Sequence, residues 1–146
     1  MTYPLLLVLH LLASAAFIGA VFFEVAILQA LRRQLPAASL AVLEPALSLR
    51  ARRVLHGVVL LLYGAGIGLA WQHRAALSQP LSSTFASLLS LKILLALSIV
   101  GHYLLLALLL RSGRMTAARS RLIHWAIFVQ MIAIVLLAKG MFHLPG

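Results

Sequence analysis

The dominant pattern of this sequence is four long apolar stretches separated by three polar connections. Each apolar stretch is longer than the roughly 20 helical residues needed to cross about 30 Å of hydrocarbon. The pattern predicts helices over about residues 4–31, 47–71, 85–110 and 117–142. Because short connections make sequential helices antiparallel neighbours, we predict an all-α fold: an integral membrane four-helix bundle with up-down topology. Residues 1–146 would form a single four-span transmembrane domain.

The connections differ in their expected structure. Residues 34–53 contain Pro36 and Pro45, and we expect a short amphipathic or irregular segment at a membrane surface. The apolar part of the second helix would begin at Val54, and its Gly64 and Gly68 form a GxxxG pattern that permits close helix approach in lipid. Residues 72–83 form the second connection, which ends near a candidate helix N-cap at Ser83 or Thr84.

Composition supports a membrane location and narrows the chemistry. The chain has 146 residues, is 64% hydrophobic and 10% charged, and has a mean hydropathy of +1.10. A soluble domain of this length would carry far more charge. The absence of cysteine excludes disulfides and thiolate metal sites.

The basic residues predict the orientation of the chain. There are 12 Lys+Arg against 2 Asp+Glu, and the second connection holds a single arginine, Arg74. Loops rich in Lys and Arg remain on the cytoplasmic side of a membrane. This rule explains the strongly positive net charge, so no nucleic-acid partner is needed to explain it. We therefore predict a multi-pass protein of the bacterial inner membrane, with both termini periplasmic and the bilayer as its main partner; a homo-oligomer or a membrane redox partner stays open. The nine arginines of the first and third connections are Arg32, Arg33, Arg50, Arg52, Arg53, Arg111, Arg114, Arg119 and Arg121.

Several ionisable residues lie inside the predicted spans, where such groups are expensive unless they have a partner. His10 and Glu24 are 14 residues apart in the first helix. That spacing places them within about 40° of each other around the helix and about 21 Å apart along it. Estimated depths give two layers: His10 with Lys92 on the outer side, and Glu24 on the inner side, where we expect it to accept a hydrogen bond from a histidine. The histidines of the inner layer are His56, His102 and His124.

These residues suit more than one chemistry. Neutral imidazoles on neighbouring helices are ligands for haem iron or for copper. Haem b would take two of His10, His56, His102 and His124, and Lys92 or an arginine near a helix end would face a haem propionate. Copper would use His10 with Met141 and His143 near an external entrance. Two further interpretations are a His–Glu proton relay and, for His56 and His124, a merely interfacial position. The complete set of candidate metal ligands is His10, His102, Glu24, Met141 and His143.

The helices resemble those of a known superfamily. The quoted stretches are LHLLASAAFIGAVFFEVAIL, RRVLHGVVLLLYGAGIGLAW, LSLKILLALSIVGHYLLLALL and IVLLAKGMF. Together they resemble the CopD superfamily, which includes CopD-type copper-resistance membrane domains and the HemJ-type protoporphyrinogen oxidases. The resemblance implies a haem b or copper site and, for the HemJ-type members, an oxidoreductase activity. The family positions fall on His10, Arg52 or Arg53, Lys92 and His102.

The chain also departs from the HemJ-type pattern. It has Phe22-Phe23-Glu24 where those proteins carry Trp and an aromatic–Arg stretch, and His102 precedes Tyr103 instead of following it. The leading hypothesis is a haem b-binding, cytochrome b-like membrane protein with a redox or haem-linked role. The alternatives are a copper transport or copper-resistance protein and a non-catalytic assembly subunit.

Overall fold

The computed structural model describes residues 2–141, and these are helical apart from short turns. Helix α1 has three consecutive parts: an α-helical part at Thr2–Phe22, a π-helical stretch at Phe23–Leu28 and a last α-helical part at Gln29–Leu31. The remaining helices are α2 (Ala37–Gln72), the short α3 (Arg74–Ser78), α4 (Thr84–Arg111) and α5 (Ala117–Gly140). The all-α class is confirmed.

Four of these helices are long and apolar enough to cross a membrane: α1, α2, α4 and α5. Their apolar side chains are largely exposed; Leu60, Leu94 and Leu136, for example, are 75%, 63% and 66% exposed. Such extended apolar surfaces are not tolerated in water but are the normal exterior of a helix in lipid. The structure therefore describes a multi-pass membrane protein that associates with the bilayer.

The chain divides into two compact units at Gln72 and His73. Unit 1 contains α1 and α2, and unit 2 contains α3, α4 and α5. The two long helices of each unit pack against each other. The prediction that all four spans form one domain stays a prediction.

The α1–α2 pair of unit 1 is held by one regular stripe of α1. Ala13, Phe17, Val21 and Val25 are all buried, and they recur every four residues. Residues at this spacing lie on one face of a helix, so a single ridge of α1 packs on α2. Ala65 is the buried residue of α2. A small side chain at this position allows the two backbones to approach closely.

Two glycines of α2 lie close to side chains of α1. Gly68 was predicted to allow this close approach, and Gly66 was not. A Cβ on Gly68 would lie 2.9 Å from Leu6 Cδ1, and one on Gly66 would lie 3.2 Å from His10 Cε1. A Cβ on Gly64 would have no atom within 4 Å. Among the described residues, the close approach therefore uses Gly66 and Gly68, and the predicted contribution of Gly64 is not seen.

Of the two alternatives predicted for residues 34–53, the irregular one was wrong, and the amphipathic one stays a prediction. Helix α2 begins at Ala37, about ten residues before the predicted start at 47. Pro36 lies just before the first turn, and its carbonyl accepts from the backbone of Ser39 and Leu40. Pro45 lies inside the helix. A proline removes one backbone hydrogen bond, and the other residues of the helix keep their backbone hydrogen bonds.

The α4–α5 pair of unit 2 is bounded by well-formed caps. Ser83 accepts from the Ala86 backbone N–H at 3.1 Å, as predicted for the start of α4. Thr116 accepts from the Arg119 backbone N–H at 3.2 Å at the start of α5. The second connection contains the short α3, and His73 beside it makes an edge-to-face contact with Phe85. The buried positions of the pair are Ala86, Leu89, Ile99, Ile123, Ile127 and Met131.

Candidate functional site

His10 joins the two helices of unit 1. Its Nδ1 lies 3.0 Å from the carbonyl oxygen of Leu62 on α2. A backbone carbonyl only accepts hydrogen bonds, so Nδ1 must carry the proton. In the neutral ring the lone pair then falls on Nε2. His10 is thus half-buried at a helix–helix contact, with its tautomer set by the neighbouring helix.

The other three span histidines each bond within their own helix. Nδ1 of His56 lies 2.5 Å from the carbonyl of Arg52, that of His102 lies 2.8 Å from Ser98, and that of His124 lies 2.7 Å from Ser120. Each partner is four residues earlier, which is the carbonyl directly below the ring in a helix. In the neutral ring, all three histidines therefore carry the lone pair on Nε2, one of the two nitrogens with which histidine ligates metals.

His102 differs from the others because it borders an open groove. The groove is lined by Ser98, Gly101, His102 and Leu105 of α4. Gly101 and Leu105 lie about 120–160° around the helix from Ile99, which is buried. A Cβ on Gly101 would have no atom within 4 Å. His102 itself is half-buried and lies about 60° from Ile99, so it is at the edge of the packed face, with the exposed Gly101 beside it.

The structure does not bring three candidate ligands together within residues 2–141. No group of three or more His, Asp or Glu side chains there could hold a metal ion. In unit 1, His10 is level with Leu62, which is about 9 Å along α2 from His56. In unit 2, His102 and His124 are nine and seven residues from the ends of their helices at the connecting turn. Their depths therefore agree within about 3 Å.

Glu24 does not bond a histidine, in contrast to our expectation. Its carboxylate accepts from the guanidinium of Arg32, which also donates to Glu44. Burial lowers the pKa of Arg32, but its hydrogen bonds to the two carboxylates and their charges more than offset this, so that its pKa is raised. Arg32 thus acts as a permanently charged link between the end of α1 and the first turns of α2.

This Arg32 link was missed from the sequence, although both carboxylates were visible there. Glu24 lies in the π-helical stretch of α1, and Glu44 lies in the part of α2 that we expected to be irregular. The useful signal was the scarcity of acidic residues: only two exist, so each could be expected to have a specific partner.

Lys92 is half-buried on α4, and no carboxylate contacts it among residues 2–141. The chain has two acidic side chains, and Arg32 holds both. No Asp or Glu of this chain is left to neutralise a lysine in the span. An ammonium group at such a position needs an acceptor, and an anionic group from outside the chain would supply one.

The remaining candidates are on α2, on α5 and at the C-terminal end of the chain. Arg53 is exposed on α2, and Met141 follows the last turn of α5. His143 lies outside the described residues. Gln130 on α5 was expected in the inner layer, and its Oε1 is buried without a hydrogen-bond partner in the described part of the chain. These positions add no further ligand to the groove at His102.

The class of protein is therefore a multi-pass membrane protein built from antiparallel helix pairs, with histidines in its spans. Comparison with protein-family models, curated proteins and solved structures finds no match to this chain.

Proposed function

We propose that this protein binds haem b in the membrane, as a cytochrome b-like protein with a redox or haem-linked role. The observation that supports this proposal best is the groove at His102. Its imidazole presents Nε2 as the ligand atom, with Nδ1 held by the Ser98 carbonyl. Gly101 beside it leaves room for a flat macrocycle to lie against α4. Neutral imidazole is a common axial ligand of haem iron.

Lys92 adds the charge complementarity that haem requires. Haem b has two propionate groups, and each needs a cationic or hydrogen-bonding partner when it leaves water. Lys92 lies on the same helix as His102, ten residues earlier, and no carboxylate contacts it among residues 2–141. Within unit 2, His124 is the candidate for a second axial ligand. When bound, the haem would supply one-electron redox chemistry.

The proposal extends to family and cellular location. The resemblance of the helices to the CopD superfamily supports a haem- or copper-linked role, with a HemJ-like oxidoreductase as one form of it. The arginines of the first and third connections support an orientation with both termini in the periplasm of a bacterial inner membrane.

The visible spectrum of the purified protein tests the haem proposal. Protein from a haem-replete host should show a Soret band, and reduction with dithionite should sharpen the α and β bands. His102→Ala should lose or shift these bands. His73→Ala is the matched control, because His73 lies outside the long helices against Phe85 and should leave the spectrum unchanged. Absence of haem from the folded wild-type protein would overturn the proposal.

Copper handling is the alternative that the same preparation distinguishes. Met141 is present at the end of α5, and copper binds soft Met together with His. Metal analysis of the purified protein would then find stoichiometric copper without a Soret band. A protein with neither group, from a host replete in both, would support the non-catalytic assembly subunit instead.

A further inference from the structure

The connection between α4 and α5 carries four arginines and no acidic residue. Arg111 is the last residue of α4, Arg114 lies in the turn, and Arg119 and Arg121 are in the first turns of α5. All four are exposed. Both acidic side chains of the chain are in unit 1, at Arg32. The four guanidinium groups therefore have no carboxylate partner from unit 2.

The backbone holds this turn in a defined conformation. Gly113 has a φ of 65°, and the Arg114 backbone N–H donates to the Leu109 carbonyl at 3.0 Å. The Gly113 N–H donates to the Leu110 carbonyl at 3.3 Å, which completes a Schellman motif. The Arg119 Nη1 donates to the Arg114 carbonyl at 2.6 Å and ties the two sides of the turn. The arginines thus project from a rigid support.

Exposed leucines lie directly next to these arginines on the membrane side. Leu108 and Leu110 at the end of α4 are 63% and 56% exposed, and Leu122 near the start of α5 is 71% exposed. The arginines lie within about 6 Å of the helix ends along the helix axes. Leu108 and Leu122 lie about 5–8 Å from these ends, farther along the helices than Arg111 and Arg114, so a phosphate at the turn would leave its acyl chains level with these leucines.

We propose that this turn binds an anionic phospholipid, with the phosphate on the arginines and the acyl chains against the exposed leucines. Guanidinium groups bind phosphate in a bidentate manner, and basic clusters next to a span attract anionic lipids. A soluble acidic partner would not need the adjoining apolar surface. The proposal is independent of the histidines and of haem.

Lipid binding to the full-length protein in a non-ionic detergent tests this inference. Native mass spectrometry would count bound dioleoylphosphatidylglycerol against dioleoylphosphatidylcholine, which has the same acyl chains. The anionic lipid should bind more tightly. Arg114→Gln with Arg121→Gln should weaken its binding roughly 30-fold, since each basic residue contributes about a factor of five. Replacing the same two residues with lysine should retain most of the affinity.

The matched control is Arg33→Gln with Arg50→Gln, which removes the same charge from two exposed positions of unit 1. It should leave most of the binding intact, and an equal loss in both double variants would overturn a local site. Equal binding of the two lipids would also overturn the proposal. Displacement of the anionic lipid by millimolar inorganic phosphate would show a soluble-phosphate site instead. Circular dichroism verifies that each variant keeps its helices, and the lysine variant tests the proposal if the glutamine variant does not fold.

Discussion

At the scale of single residues, the scarcity of carboxylates decides how the polar groups are used. Glu24 and Glu44 both bond one guanidinium, so the ionic contacts of the spans are concentrated at Arg32. The side chains of Arg32, Glu24 and Glu44 are 32%, 20% and 42% exposed, so that water screens the network only in part. Removing the shared cation would leave two carboxylates without their partner.

We therefore expect Arg32→Gln to destabilise the protein by about 1–2 kcal/mol, the range for hydrogen bonds to charged groups that are partly solvated. Thermal unfolding in detergent would measure the loss. Arg33→Gln is the matched control. Arg33 is exposed and forms no salt bridge with Glu24 or Glu44, so its replacement should change the stability by no more than about 0.5 kcal/mol. Equal effects of the two variants would contradict the role of the Arg32 link.

The histidines show which hydrogen bonds can be predicted from a single helix. The sequence located His10, His56, His102 and His124 within spans, and helix geometry alone offers each ring the carbonyl four residues earlier. Three of the rings use it, whereas His10 bonds Leu62 on the neighbouring helix. That exception required two helices to be placed together, which periodicity along one helix cannot do.

At the scale of elements, helix length and composition predicted most boundaries. The last residue of α1 and the limits of α4 agree with the predictions within one residue, because apolar content and caps define them locally. The start of α2 was missed because proline was given too much weight. The helix tolerates Pro45 within an exposed part of its length. The hydrogen bond that Arg32 donates to Glu44 stabilises the turns of α2 that precede the predicted start at residue 47.

The Schellman turn after α4 gives a prediction at this scale. Gly113 has a positive φ, which costs a residue with a Cβ about 1 kcal/mol. Gly113→Ala should lower the stability of the protein by roughly this amount in thermal unfolding. Gly19→Ala is the control, because Gly19 is helical and has no atom within 4 Å of an added Cβ. Gly19→Ala should not lower the stability of the protein. A larger loss of stability for Gly19→Ala than for Gly113→Ala would show that Gly113 does not maintain the left-handed conformation.

At the scale of the whole molecule, the predicted orientation can be tested because the chain contains no cysteine. A single cysteine at Ser112, in the third connection, should be protected from a membrane-impermeant maleimide in intact spheroplasts. A cysteine at Ser82, in the second connection, should be labelled. This follows from the arginine-rich connections remaining cytoplasmic. The reverse labelling pattern would invert the proposed topology.

The sequence alone determined that this is a helical, multi-pass membrane protein, because length, hydropathy and charge act locally along the chain. It also located the span histidines and Lys92 of the haem proposal, but not Gly101. The tertiary structure decided the contacts: Arg32 rather than a histidine on Glu24, Gly66 rather than Gly64 against α1, and an open side of α4 at His102. These depend on how two helices rotate and slide against each other, and a largely apolar surface specifies that arrangement only through side-chain packing.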